Sequence, residues 1–221
     1  MLKITVHKII RSRRRTIALM VTPEATLVIR APLWTPRWHI DKFIHQERAW
    51  IAKKLREIQS RPQAVKHEFL AGEAFLYLGK RYRLRYSDVS TISLDEWLTV
   101  PNARRPHVRE SLTAWYQSQA ARMIHSRVRL FTQKMGVVPT RVKISKAQTR
   151  WGSCGHGDSI NLNWRLVMAP LAVLDYVVVH ELAHVDHKHH GTRFWEAVAQ
   201  ILPDYRRSRT WIKANGHLLK I

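Results

Sequence analysis

Residues 171–190 combine a run of apolar side chains with a cluster of histidines, and this segment constrains the fold more than any other. Its apolar residues recur at intervals of three and four: Leu171, Leu174, Val177, Val178, Leu182 and Val185. This spacing predicts a helix with one buried face, and Pro170 is a favourable residue at its start. Within the helix, His180, Glu181 and His184 form the pattern His-Glu-x-x-His. One helix must therefore serve both as a core element and as the carrier of three reactive side chains.

The pattern predicts a metal site. Histidines four residues apart lie one above the other on the same helical face, so both imidazoles can reach one ion. A catalytic site of this type has three protein ligands and leaves a fourth position for water or substrate. The candidates for the third ligand are His187, His189 and His190. A continuing helix would place His187 one turn above His184, whereas a chain that leaves the helix before Gly191 can fold His190 back under the metal. We therefore predict His190.

The N-terminal part of the sequence predicts strands followed by a helix. Three β-branched segments predict an antiparallel region of two or three strands: residues 2–10, 15–22 and 26–31. Thr35-Pro36 is a helix start signal, and apolar residues at helical spacing predict one amphipathic helix over 36–60. Short strands are expected again between Phe69 and Val100. This part of the chain is therefore predicted to be rich in β structure.

A segment rich in proline and arginine, residues 101–106, marks the predicted boundary between an N-terminal domain (1–102) and a C-terminal domain (103–221). Beyond it the sequence predicts five elements: a long helix that Gly136 ends, a hairpin within 141–167, the histidine-bearing helix, and two shorter helices over 192–202 and 204–215. Strands early and helices late indicate an α+β fold.

The chain carries 38 Lys plus Arg against 16 Asp plus Glu, a formal charge of +22. Such a charge attracts anions, so it suits an anionic substrate or nucleic acid. No segment approaches the ~18 apolar residues of a membrane span. The single cysteine, Cys154, fits a reducing compartment. We therefore expect a cytoplasmic protein that binds no membrane, and the sequence does not specify its oligomeric state.

Several ordered segments together resemble one known family. They are TRWGSC at 149–154, INLNWRL at 160–166, DYVVVHELAH at 175–184, His190-Gly191, FW at 194–195 and PDY at 203–205. They are similar to the YgjP-like metallopeptidase family, whose members are zincin-type predicted metal-dependent hydrolases. The family pattern usually has Asn-His-Ser where this chain has His189-His190-Gly191, so a second imidazole adjoins the expected ligand and His189 is an alternative to His190.

The resemblance implies a zincin-like C-terminal half with Zn²⁺ on His180, His184 and His190. It also implies that Glu181 is the general base for metal-activated water, in agreement with the chemistry expected of the motif. We therefore predict a zinc-dependent hydrolase, in the first place a metallopeptidase. Two alternatives remain open: a nucleoside triphosphate pyrophosphatase that uses the same metal site, and a nucleic-acid-associated protease or binding module.

Other residues are weaker candidates. Arg150 or Tyr205 could donate a hydrogen bond to a developing oxyanion, and the strand that contains Trp151 could pair with an extended substrate. Asp175 fits either a carboxylate that supports a metal ligand or a solvated helix residue. The nine tryptophans could stack on bases, but most of them fall at amphipathic spacing, which favours burial. Phe194 and Trp195 are expected in the core.

Overall fold

The computed structural model describes residues 5–22, 25–60 and 66–221. These residues form a mixed α+β fold, as predicted, with three small sheets and six α-helices among them. The contacts divide the chain into two units, Met1–Gln63 and Ala64–Ile221. The predicted division after residue 102 is a different one and stays a prediction. Residues 2–4 of the first predicted strand lie outside the described residues.

The bounds of the elements are as follows. The strands are β1 (Val6–Ser12), β2 (Ala18–Val21), β3 (Leu27–Pro32), β4 (Ala74–Tyr77), β5 (Lys80–Ser87), β6 (Ser93–Leu94), β7 (Trp97–Pro101), β8 (Arg141–Ser145), β9 (Gly152–Cys154) and β10 (Ser159–Asn163). The helices are α1 (Arg37–Gln46), α2 (Arg48–Gln59), α3 (Val108–Met135), α4 (Leu171–Asp186), α5 (Thr192–Ile201) and α6 (Tyr205–Asn215). Among the described residues, no helix is both long enough and apolar enough to cross a membrane.

The N-terminal unit has a three-stranded sheet in the order β1-β3-β2. Strand β2 is antiparallel to β3, as predicted, but β1 is parallel to β3, so the strands do not form a simple meander. The helix predicted over 36–60 is two helices, because Glu47 leaves the helical conformation with ψ of 9°. Residues 45–48 are all polar, so no apolar side chain anchors this junction. The core of the unit consists of Leu27, Ile29, Ala31, Ile40, Ile51 and Leu55.

Three tryptophans of the N-terminal unit are exposed, contrary to the expectation of burial. Trp34 is 90% exposed, Trp38 67% and Trp50 44%. The other six tryptophans lie in the C-terminal unit, where they are buried or half-buried. The amphipathic spacing therefore predicted burial correctly only in the C-terminal unit.

The C-terminal unit contains a four-stranded sheet, β4-β5-β7-β6, and a three-stranded sheet, β8-β10-β9. The hairpin predicted within 141–167 is formed by β9 and β10, which are antiparallel. Its turn includes Gly157 at a φ of +71°, a conformation that favours glycine. Strand β8 adds to the other side of β10 in parallel. This leaves β9 at one edge of the sheet.

Helix α4 is the central element of the C-terminal core. The preceding long helix, α3, ends at Gly136 with a φ of +68°, as predicted, and α4 packs against it. Arg127 of α3 donates to both carboxylate oxygens of Asp175 on α4, at 2.6 Å and 2.7 Å. Asp175 therefore neither supports a metal ligand nor faces solvent alone, because it joins the two helices.

The start of α4 is fixed by the turn between β4 and β5. The backbone N–H groups of Leu78 and Gly79 donate to the carbonyls of Val167 and Met168, at 2.7 Å and 3.2 Å. Gly79 has a φ of +79°, and a Cβ there would lie 2.9 Å from Pro170 Cα. Only glycine satisfies both constraints without strain. The four-stranded sheet thus positions the residue from which the histidine-bearing helix begins.

Candidate metal centre

The three predicted histidine ligands converge on one point. His180 and His184 lie one turn apart on α4, which ends at Asp186. The chain then turns back, so that one ring nitrogen from each of His180, His184 and His190 lies within 4.8 Å of the other two. Among the described residues, His187 and His189 belong to no such group. The geometry therefore assembles the set that the spacing predicted, with His190 as its third member.

His184 is oriented by the end of its own helix. Its Nδ1 lies 3.0 Å from the carbonyl oxygen of His187, to which it donates. This contact leaves Nε2 as the nitrogen with a free lone pair for a metal ion. Histidines that bind metals usually donate their other ring N–H to a carbonyl or carboxylate in this way. His187 thus contributes through its backbone carbonyl, not through the imidazole that made it a candidate ligand.

His180 has the surroundings of a neutral ligand. Its Nε2 lies 3.1 Å from His190 Nε2, and its buried Nδ1 has no hydrogen-bond partner among the described residues. Burial, with the adjacent charges of His184, His190 and Arg209, lowers the pKa of His180 to about 3. Burial also lowers the pKa of His184. Neutral imidazoles retain the lone pair that binds a metal, so these residues fit a metal ion.

Glu181 lies beside this cluster as a buried carboxylate. Burial raises its pKa to about 7, although a hydrogen bond from the backbone N–H of Cys154 acts in the opposite direction. Among the described residues it forms no ion pair, in contrast to Asp175. A buried acid without a cationic partner titrates near neutral pH, where one group can both accept and release a proton.

Glycine at position 152 makes room for this carboxylate. A Cβ on Gly152 would lie 2.4 Å from Glu181 Oε1 and 2.6 Å from Glu181 Cγ. Real Cβ atoms essentially never come so close, so the Glu181 side chain would have to leave its present position. The glycine in the TRWGSC segment is therefore required by Glu181, a link that the sequence alone did not show.

The outer edge of β9 faces the histidine-bearing helix α4. Trp151 and Gly155 form backbone hydrogen bonds with the β10 side of the hairpin, each at 2.8 Å. Backbone groups alternate in direction along a strand, so those of Gly152 and Cys154 point away from β10. The N–H of Cys154 is used by Glu181. Among the described residues, the other backbone groups of Gly152 and Cys154 form no backbone hydrogen bond across this edge, so they can pair with another extended chain.

Two clefts meet at the histidine cluster. The first, here called the aromatic cleft, has a volume of about 570 Å³ and is walled by Trp151, Tyr176 and Trp195, with Arg209 and Lys213 along one side. The second, the polar cleft, has a volume of about 380 Å³ and is lined by Ser153, Cys154 and Lys188. His180, Glu181 and His190 line both. A substrate that occupies both clefts would therefore pass directly over Glu181.

The weaker candidates lie in different places. Trp151 lines the aromatic cleft. Arg150 is exposed and lines neither cleft. Tyr205 is buried behind the wall, where its ring stacks on Trp195 with centroids 5.3 Å apart. Phe194 is buried as expected, but Trp195 is half-buried at the cleft.

Arg209 and Lys213 line the aromatic cleft but were not predicted from the sequence. Their spacing of four residues places them on one face of α6. Which face of this helix lines the cleft depends on tertiary packing, which the sequence pattern does not indicate.

The model of the YgjP-like metallopeptidase domain family matches residues 15–215. The chain belongs to this family. Searches of curated proteins and of solved structures found no match. In this YgjP-like chain, the family's predicted metallopeptidase character coincides with a candidate metal site of three histidines.

The assignment of the third ligand predicts a difference between two neighbouring histidines. The His190→Ala variant removes a donor from the cluster, so we expect metal affinity to fall by roughly 100-fold or more, beyond the loss seen when only supporting groups are removed. His189→Ala is the matched control and should retain about one equivalent of metal per chain. Metal content after dialysis, measured by mass spectrometry, distinguishes the two. Loss of metal in the His189 variant alone would reverse the assignment.

The contact between Gly152 and Glu181 predicts that Gly152→Ala destabilises the protein. Overpacking of this kind costs about 1–3 kcal/mol, and denaturant unfolding measures it. Gly191→Ala is the control, because a Cβ there has no neighbour within 4 Å and its φ of −77° suits any residue. Equal stability of the two variants would show that Glu181 does not need this space.

Proposed function

We propose that this chain is a zinc-dependent peptidase in which Glu181 is the general base. The observation that carries the proposal is the convergence of three histidine nitrogens beside a buried carboxylate that has a pKa of about 7. Neither feature is needed for packing alone, since an apolar residue at position 181 would fill the interior without the cost of a buried acid. Membership of a metallopeptidase family supports the same reaction class.

The donor set favours zinc. Three neutral imidazoles with one open position are typical of catalytic zinc sites. Tetrahedral Zn–N bonds place nitrogen ligands about 3.3 Å apart, close to the 3.1 Å between His180 Nε2 and His190 Nε2. When bound, the ion polarises the scissile carbonyl and lowers the pKa of bound water towards ~7.

Glu181 would move the proton. Its carboxylate accepts a proton from the attacking water and later donates it to the leaving amine, which its pKa of about 7 permits in both directions. The hydrogen bond from Cys154 N–H and the contact with Gly152 hold the carboxylate in one orientation. The side chain is therefore positioned before substrate binds, which reduces the cost of reaching the reactive geometry.

The strand edge favours a peptide as the substrate. Extended peptides bind by adding a strand to an exposed sheet edge, and β9 offers such an edge beside Glu181. The two clefts continue on either side of the histidine cluster. A peptide along β9 would thus place one of its bonds at Glu181 and its side chains in the clefts.

The Glu181→Gln variant tests this proposal. The amide preserves shape but cannot accept the proton, so we expect kcat to fall by about 10²–10⁴-fold while the three histidines retain the metal. Glu196→Gln on α5, an exposed residue, is the matched control and should keep full activity. The assay compares peptides with nucleoside triphosphates on zinc-loaded protein. Turnover of triphosphates alone would assign the pyrophosphatase alternative, and normal peptide turnover by Glu181→Gln would reject Glu181 as the base.

A second candidate function rests on the N-terminal unit, which we propose binds single-stranded nucleic acid. Residues 1–63 contain 14 Lys plus Arg and four Asp plus Glu. Trp34 and Trp38 are 90% and 67% exposed on this basic unit. Exposed aromatic rings among cationic residues stack on unpaired bases, while the cations attract the phosphates. This observation favours a nucleic-acid-associated protease over a peptidase without such a partner.

The Trp34→Ala and Trp38→Ala variants are expected to bind a single-stranded oligonucleotide about tenfold more weakly each, because each loses one stacking contact. Leu33→Ala, a neighbouring exposed apolar residue, should bind normally. The salt dependence should be unchanged in all three, since no phosphate contact is removed. Fluorescence anisotropy measures both quantities. Equal binding by wild type and the tryptophan variants would contradict the proposal.

A further inference from the structure

The aromatic cleft contains two cations for which the proposed hydrolysis has no use. Arg209 and Lys213 lie four residues apart on α6 and both line this cleft, together with Glu181. We infer that they form a subsite for an anionic group of the substrate, a carboxylate or a phosphate, adjacent to the bond that is cleaved. The inference rests on the proposed function and adds the chemical class of substrate that the site selects.

Arg209 is held in place by aromatic stacking. Its guanidinium carbon lies 4.5 Å from the centre of the Trp195 ring. Trp195 stacks in turn on buried Tyr205, with ring centroids 5.3 Å apart and planes within 14°. Stacking of this kind orients the guanidinium plane and leaves its N–H donors for a ligand. A guanidinium in this position can donate charge-assisted hydrogen bonds to an anion in the cleft.

The same tryptophan places Arg209 next to the metal ligands. The Trp195 ring lies 5.6 Å from the His190 ring and 5.9 Å from the His180 ring, centre to centre. Arg209 and two histidines of the cluster therefore lie next to the same aromatic side chain. An anion held by Arg209 would belong to a group close to the reacting bond, which is where a subsite affects substrate choice.

No carboxylate neutralises these two cations. In the described part of the C-terminal unit, the ion pairs involve other basic residues: His67, Arg127 and Lys188. Glu181 is the single acid that lines the aromatic cleft, and it is buried against β9. Like charges four residues apart on a helix repel each other. The cleft therefore carries an unbalanced positive charge that a bound anion would offset.

The test measures binding without turnover, in the zinc-loaded Glu181→Gln full-length chain. Isothermal titration calorimetry is carried out with three probes: N-acetyl-dialanine, which carries a carboxylate, its neutral amide, and tripolyphosphate. We expect the added substitutions Arg209→Gln and Lys213→Gln each to lower the binding affinity for a charged probe by about tenfold. This is the effect of losing one charge-assisted hydrogen bond. Binding of the neutral amide should not change. Arg207→Gln, an exposed cation of α6 outside this cleft, controls for net charge.

The pattern of losses decides the outcome. If only the affinity for N-acetyl-dialanine falls, the subsite binds the C-terminal carboxylate of a peptide. If only the affinity for tripolyphosphate falls, the subsite binds a phosphate. No loss with either probe, or an equal loss in Arg207→Gln, would overturn the inference. Arg209→Lys keeps the charge and should recover part of the affinity, and thermal unfolding confirms that each variant is folded. Because no hydrolysis is measured, the subsite can hold even if peptides are not cleaved.

Discussion

The contact between α4 and the edge strand β9 is the interaction on which the site depends. Glu181 is buried there against Gly152 and accepts the N–H of Cys154. Burial raises the pKa of the carboxylate. The absence of a Cβ at Gly152 leaves room for it, and the hydrogen bond from Cys154 orients it. His180 and His184 lie on the same helix. The helix that packs at the centre of the C-terminal core therefore also carries His180, Glu181 and His184.

The sequence predicted the elements with local signals. The apolar spacing of α4, Gly136 at the end of α3 and the turn before β10 each act within a few residues, so a single chain reveals them. His180 and His184 followed from helical geometry. His190 was predicted because the chain must leave the helix to bring back a third donor, and the structure brings it to the other two.

Features set by distant contacts were not predictable in the same way. Asp175 meets Arg127, which is 48 residues away in the sequence, and Gly152 is required by a side chain on another element. The parallel pairing of β1 with β3 joins segments that are separated in the sequence by β2. Exposed Trp34 shows the same limit, since hydrophobicity predicts burial only where a partner surface exists.

The segment between His184 and His190 must have a fixed length, but the site does not depend on all of its side chains. Of its five residues, His187 supports His184 through a carbonyl oxygen, a group that every amino acid supplies, and His189 also uses its carbonyl, which accepts the N–H of Gly191. The side chains of His187 and His189 are therefore interchangeable as far as the three clustered histidines are concerned. One inserted or deleted residue would instead shift His190 by about 3.5 Å along the chain. Related chains should therefore differ in the amino acids of this segment but keep its length of five residues.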